Sequence, residues 1–250
     1  MAIGASIPGP ATYQPMSRGR KWHLPAIIAR MNQPLTQQRI RITFGKNGPL
    51  RYVGHLDLAR TWERVLRRAG VPLEYSQGFT PRPRMQFAAA LPVGVSSACE
   101  YLDAWLTARL DGPPSTWVER LQAASPHGLT VLAVEDVPIR GAALPTLVTH
   151  AEYVVTPLDP ALDWQALRDR IEALLAAGAI ERVRSNGKRY DLRPLIRNLA
   201  MTESGDIVAE LVTGDEGTAR IDEVVDALGM AFDRVRAHRT RLVLREEPVP

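Results

Sequence analysis

The run RIRITF (residues 39–44), a turn over Gly45–Pro49, and then HLDLARTWERVLRRAG (residues 55–70) decide how this chain folds. In the first run Ile40, Ile42 and Phe44 fall on one face, the period of a strand. In the second, Leu58, Trp62, Val65, Leu66 and Ala69 recur at i, i+4, i+7, i+8 and i+11, an amphipathic helical stripe over His55–Ala69. Gly70 caps that helix and Pro72 lies beyond it. Short extended pieces follow at Leu73–Ser76 and Met85–Ala90, then a longer strand over Cys99–Leu110. A helix over Ser115–Ala124, with Ser115 or Thr116 as N-cap, and a strand over Leu129–Val137 close the unit. The order βαββαβ is the split-βαβ, or ferredoxin-like, arrangement.

Downstream the order recurs. After a linker-like Pro138–Pro145 come a strand at Glu152–Thr156 and a helix at Asp163–Ala177. Ile180–Ser185 and Arg189–Leu192 flank Asn186-Gly187, a strong hairpin signal. Ile196–Thr202 and Ile207–Thr213 flank Ser204-Gly205-Asp206, and a helix over Thr218–Leu228 precedes a last strand over Val235–Leu244. The expected class is therefore α+β, two tandem ferredoxin-like units read as a structural duplication. The divisions are a flexible extension 1–37, a first unit 38–137, a linker 138–150 and a second unit 151–247. The extension is rich in Pro, Gln, Ser and Gly and lacks the apolar run of a secretory signal. The globular pattern begins just after Met31, which reads as an alternative initiator.

The 250 residues hold 45% hydrophobic and 23% charged residues, average globular usage. No window approaches the roughly 18 apolar residues of a membrane span. The one cysteine, Cys99, excludes a disulfide framework, a four-Cys zinc site and an iron–sulfur cluster within the chain. The expectation is a cytoplasmic protein with no metal and no cofactor.

Charge is more telling. Of 31 cations only Lys21, Lys46 and Lys188 are lysines, leaving 31 − 3 = 28 arginines. Residues 39–84 carry ten cations and three anions, whereas residues 85–250 carry 17 and 24. Arg60, Arg64, Arg67 and Arg68 share one helix face opposite the apolar stripe, with Asp57–Arg60 and Glu63–Arg67 as available ion pairs. Two acids cannot neutralise four arginines, so the face is a candidate for polyanions. The segment Tyr75-Ser76-Gln77-Gly78-Phe79-Thr80-Pro81-Arg82-Pro83-Arg84 is a second candidate. Gly78 permits a left-handed turn and the two prolines stiffen the segment. Arg82 and Arg84 then point the same way, with Tyr75 and Phe79 as stacking platforms for single-stranded nucleic acid. Arg184, Lys188 and Arg189 surround the second-half hairpin tip, either as ligands of nucleic acid or as guards of an exposed edge strand. His55 lies at or near the helix N-cap, where it is either part of the cap or a general base. Glu100 and Asp103 fall on opposite sides of their strand and do not read as an acid/base pair. No phosphate-loop, dinucleotide, His-Glu-x-x-His or Gly-x-Ser-x-Gly motif is present.

These residues carry a resemblance. Gly48-Pro49-Leu50-Arg51-Tyr52-Val53-Gly54-His55-Leu56-Asp57-Leu58, Arg67-Arg68-Ala69-Gly70, Gln77-Gly78-Phe79-Thr80-Pro81-Arg82-Pro83, Leu91-Pro92-Val93-Gly94 and Tyr190-Asp191-Leu192-Arg193-Pro194 resemble the bacterial radical-SAM-linked domain-of-unknown-function family over about residues 38–245. The resemblance implies a separate radical S-adenosylmethionine (SAM) enzyme as partner. The chain lacks the Cys-x-x-x-Cys-x-x-Cys motif, so the radical chemistry does not reside in it. The expected function is RNA binding (tRNA or ribosomal) and substrate presentation. Two alternatives stand beside it: a metal-independent ribonuclease using His55, and a protein-interaction adapter.

Overall fold

The computed structural model describes residues 36–77, 79–184 and 187–245. The extension 1–37, apart from its last two residues, lies outside them, as do Met31, the Gly78 turn and Asn186 at the hairpin tip.

The first half runs β1 (Gln38–Lys46), α1 (His55–Arg68), β2 (Met85–Phe87), β3 (Ser96–Leu106), α2 (Pro114–Ala124) and β4 (Leu129–Val137). A 3-10 turn at Gly48–Tyr52 links β1 to α1. The second runs β5 (Val148–Pro157), α3 (Trp164–Ala176), a small hairpin of β6 (Glu181–Val183) and β7 (Arg189–Asp191), β8 (Ile196–Met201), β9 (Ile207–Gly214), β10 (Gly217–Thr218), α4 (Ile221–Ala227) and β11 (Val235–Leu244). The protein is α+β, with few helices on a large mixed sheet.

Among the described residues nine strands form that sheet, seven along the path β10-β9-β5-β11-β3-β1-β4, with β2 paired to β3 and β8 to β9 off it. In the first half the order is β4-β1-β3-β2, all antiparallel. In the second it is β11-β5-β9-β8, again all antiparallel. The halves join where β11 runs parallel to β3, at His238↔Ser96 and Arg239↔Ser97. That junction is possible because β2 pairs with β3 only from Leu102 to Ala104, leaving the start of β3 free at the same edge.

There are two apolar clusters, one within the first half and one in the second half that also takes in Ala88, Leu91 and Val95 from the connection between β2 and β3. Ile40, Ile42 and Phe44 of β1 and Leu102, Ala104 and Leu106 of β3 face Leu58, Trp62, Val65 and Leu66 of α1. Trp62 meets Phe44 edge-on, with ring centroids 4.9 Å apart. The other cluster packs Tyr153, Val155, Ala209 and Leu211 of the sheet against Leu167 and Ile171 of α3 and Val224 and Val225 of α4.

Three local expectations change. The strand expected at Cys99–Leu110 begins at Ser96 and ends at Leu106, because its start is held by β11 as well as β1. Helix α2 begins at Pro114 with no side-chain cap, so neither Ser115 nor Thr116 is the N-cap. A proline in the first turn presets φ and has no N–H to satisfy. The helix expected from Thr218 begins at Ile221, because Gly217 and Thr218 pair with β9 as β10.

Candidate nucleic-acid interface

Helix α1 buries Leu58, Thr61, Trp62, Val65 and Leu66, and this fixes its opposite side toward solvent. Arg60, Arg64, Arg67 and Arg68 are all exposed there. Arg60 Nη1 donates to Asp57 Oδ1 at 2.9 Å, a solvent-facing pair of small value. Arg64 Nη2 donates to Thr61 Oγ1 at 3.2 Å. The expected Glu63–Arg67 pair does not form, and among the described residues neither Arg67 nor Arg68 has an acidic partner. Both sit in the last turn, where a cation complements the helix dipole.

The segment 74–84 is a narrow two-stranded ribbon. Ser76 N–H donates to the Arg82 carbonyl (2.8 Å) and Arg84 N–H to the Glu74 carbonyl (2.7 Å). Tyr75 pairs with Pro83. Alternation therefore sends Glu74, Ser76, Arg82 and Arg84 to one side and Tyr75 and Pro83 to the other. Arg82 and Arg84 do share a side, but Tyr75 is not beside them. Arg84 is also engaged: Nη1 meets Glu74 Oε1 at 3.1 Å, and its guanidinium lies 4.5 Å from the Trp105 ring centroid. Trp105 alternates with Ala104 and Leu106, so it lies on the face turned away from α1. Phe79 is wholly exposed, with no core contact.

His55 is the first residue of α1 after an N-cap glycine, exposed, with its ring edge-on to Phe87 at 5.1 Å. At the second-half hairpin, Arg189 pairs with Glu181 (3.0 Å), and Lys188 is exposed. Arg184 turns away from its neighbours, lying 4.2 Å over the Tyr190 ring and donating to the Thr218 carbonyl at 2.5 Å. Burial pushes the Tyr190 hydroxyl well above its usual pKa, and its bond to Glu223 adds to this. The structure thus leaves the α1 row exposed, while Arg84, Arg184 and Arg189 each have a protein partner.

Sequence reasoning missed two features. The first is an exposed apolar patch at the start of α1: Leu56 is 74% exposed, Tyr52 61% and Val93 55%. The Arg51 guanidinium lies 4.6 Å over the Tyr52 ring. The second is buried charge. Arg39 Nη2 and Arg41 Nε meet Asp103 at 2.6 and 2.8 Å, and Arg39 also donates to the carbonyls of Pro138, Gly141 and Ala142. Arg239 Nη1 reaches both carboxylate oxygens of Glu100 at 2.9 Å, while Nε and Nη2 meet Tyr153 Oη at 3.0 and 2.9 Å. Burial opposes the Arg239 charge, yet Glu100 and Tyr153 outweigh it and raise the guanidinium pKa. Lys46 Nζ donates to the Val53 carbonyl at 2.8 Å, and burial lowers its pKa. Charges of opposite sign within otherwise apolar strands were the available signal.

No helix among the described residues is long and apolar enough to cross a membrane. No group of three or more His, Cys, Asp or Glu among them is placed to hold a metal ion.

No curated protein matches the sequence. Similar solved structures include a Cbf5-Nop10-Gar1 complex, at 13% identity and TM-score 0.40 over 81% of this chain and 48% of that one. The archaeal box H/ACA sRNP Nop10-Cbf5 complex is similar at 15% identity and TM-score 0.39, over 85% and 51%. An unknown protein from Galdieria sulphuraria is similar at 14% identity and TM-score 0.23, over 83% and 99%. The chain spans about half the length of the first two. A family model covers residues 39–221, from β1 to the start of α4. By that match, the chain belongs to the family described as an uncharacterized protein conserved in bacteria (DUF2344).

Proposed function

We propose that the chain binds RNA through the outer face of α1 and presents it to a separate radical SAM enzyme, with no chemistry of its own. The observation that carries the binding step is the exposed row Arg60, Arg64, Arg67 and Arg68, in which one of four guanidiniums has an acidic partner among the described residues. Such a row matches phosphate spacing loosely and without regard to sequence, the chemistry of backbone recognition. Exposed Phe79 supplies a stacking surface, and Arg82 a further cation on the ribbon. Arg84 is left out of the interface because Glu74 and Trp105 hold it. The partner enzyme enters from the sequence resemblance. We read the two halves as tandem ferredoxin-like units, 38–137 and 151–247 about a connection at 138–150, the last three residues of which already belong to β5. Their matching strand orders, β4-β1-β3-β2 and β11-β5-β9-β8, support this reading.

Filter binding of a single-stranded RNA at two salt concentrations tests the proposal. Affinity should fall steeply with salt; affinity indifferent to salt, or no affinity, rejects it. A second reading, a protein-interaction adapter, is favoured by the exposed Tyr52, Leu56 and Val93 patch. Pull-down of the partner enzyme with and without nuclease separates the two: association that survives nuclease supports the adapter.

A further inference from the structure

A cavity of about 580 Å³ lies at the seam between the halves. Its size is within the roughly 300–1,000 Å³ of small-molecule sites, and such sites favour domain interfaces. One wall is the apolar run Ala88–Val93, which connects β2 to β3; Val148 and Gly214 stand among the second-half residues. Gly214 has a φ of +138°, and a Cβ there would sit 2.3 Å from the Val148 carbonyl oxygen, so only glycine lets the end of β9 lie this close to β5.

Tyr153 and Arg239 also line the cavity, but their polar groups are engaged with each other and with Glu100 and the Ala90 carbonyl. Arg184 and Arg220 differ. Arg184 donates through Nη2 to the Thr218 carbonyl, which leaves Nε and Nη1 without a protein acceptor among the described residues. Arg220 donates through Nε and Nη2 to Asp222 at 3.0 and 2.7 Å, which leaves Nη1. Both guanidiniums are therefore oriented by fixed partners, while Nε and Nη1 of Arg184 and Nη1 of Arg220 have no protein acceptor among the described residues and each Nη2 keeps a second N–H. Asp215, the one acid among the described lining residues, faces Arg245 at 3.9 Å.

Two oriented guanidiniums beside an apolar wall suit an anion carried on a flat body. Free donors on two separate guanidiniums suit a phosphate, whose charge and oxygens are spread around a tetrahedral centre, better than a planar carboxylate, which one guanidinium satisfies. We infer that this cavity binds a nucleotide, with the phosphate on Arg184 and Arg220 and the base against Ala88–Val93. The nucleotide is either free or an unpaired nucleotide of an RNA. The second source rests on the RNA reading above and the first does not.

Calorimetric titration of UMP and AMP into the full chain tests the site, using wild type, Arg184→Gln, Arg220→Gln and Ala89→Phe. Ala89→Phe fills the apolar wall without changing charge, and cooperative melting shows whether each variant is folded. For a free nucleotide, the expected result is saturable binding, weakened about tenfold or more by each arginine variant and lost in Ala89→Phe. For an RNA nucleotide, a two-strand RNA duplex with one bulged nucleotide should lose about tenfold affinity in the same variants while a fully paired blunt duplex loses none. The inference is overturned if neither ligand responds to the folded variants. Inorganic phosphate binding as tightly as UMP overturns the base contact. Mononucleotide binding by a chain with no RNA affinity keeps the cavity site and removes the RNA reading. Salt-steep RNA binding indifferent to all three variants does the reverse.

Discussion

Helices α1 and α3 hold the same place in the strand orders of their halves, yet they meet solvent with different charge. On α1, Arg60, Arg64, Arg67 and Arg68 stand against Asp57 and Glu63. On α3, Arg168 and Arg170 stand against Asp169 and Glu172, and Arg170 donates to the Leu228 carbonyl at 3.2 Å. The basic hairpin beside α3 repeats the lesson. Its cations outnumber its acids in sequence, but Arg182 meets Asp226 at 3.5 Å, Arg189 meets Glu181, and Arg184 turns toward Tyr190. A count of cations therefore says little about a surface until their partners are known. What separates the helices is their balance: α1 carries four arginines against two acids, and α3 two against two.

The comparison can be broken first at the seam. Glu100→Ala leaves Arg239 buried with one fewer anion, and should destabilise the protein by about 3–5 kcal/mol in urea unfolding. A cost below about 1 kcal/mol would show that the halves do not depend on this pair. Next, Phe79→Ala should weaken single-stranded RNA binding by about 1–3 kcal/mol while leaving the melting temperature unchanged, because the ring touches no core. Replacing Arg64, Arg67 and Arg68 with Ala should lower the slope of log affinity against log salt by about 2, at ~0.7 per lost phosphate contact. The matching control, Arg168→Ala with Arg170→Ala on α3, should leave that slope as it is; an equal drop from both helices would erase the distinction between them.

A smaller effect concerns pH. His238 Nδ1 lies 2.8 Å from Ser96 Oγ at the seam, and burial lowers its pKa below 6.5. Between the folded value and 6.5 the unfolded chain binds more protons, so stability is complete above 6.5 and falls as pH drops below it. Melting at about pH 7.5 and about pH 5.5 should show this loss in wild type and a weaker one in His238→Gln. The smallest expected effect is none: His55→Ala should leave labelled RNA as intact as wild type does. Cleavage by wild type that His55→Ala abolishes would install the ribonuclease alternative instead.

Most elements were legible because one side of each is apolar. The stripe Leu58, Trp62, Val65 and Leu66 requires α1, and the alternation from Ile40 to Phe44 requires β1. The candidate site was legible only in part. The arginine row on α1 follows directly from helical spacing. The ribbon at 74–84 was seen as a unit, but its pairing register, which separates Tyr75 from Arg82 and Arg84, depends on hydrogen bonds that no local pattern states. Tyr52, Leu56 and Val93 look like core residues in sequence, and their exposure depends on what packs nearby.

The sequence by itself determined the succession of strands and helices, the apolar face of each and the basic side of α1, because these follow from the fixed periods of a strand and a helix. Tertiary structure alone decided that β11 meets β3 and that Arg39, Arg41 and Arg239 go inside. It also decided that a cavity forms where the halves join. Those outcomes bring together residues up to 149 positions apart, as Ala90 and Glu100 meet Arg239. Burying such a charge is tolerated only when its distant partner arrives with it.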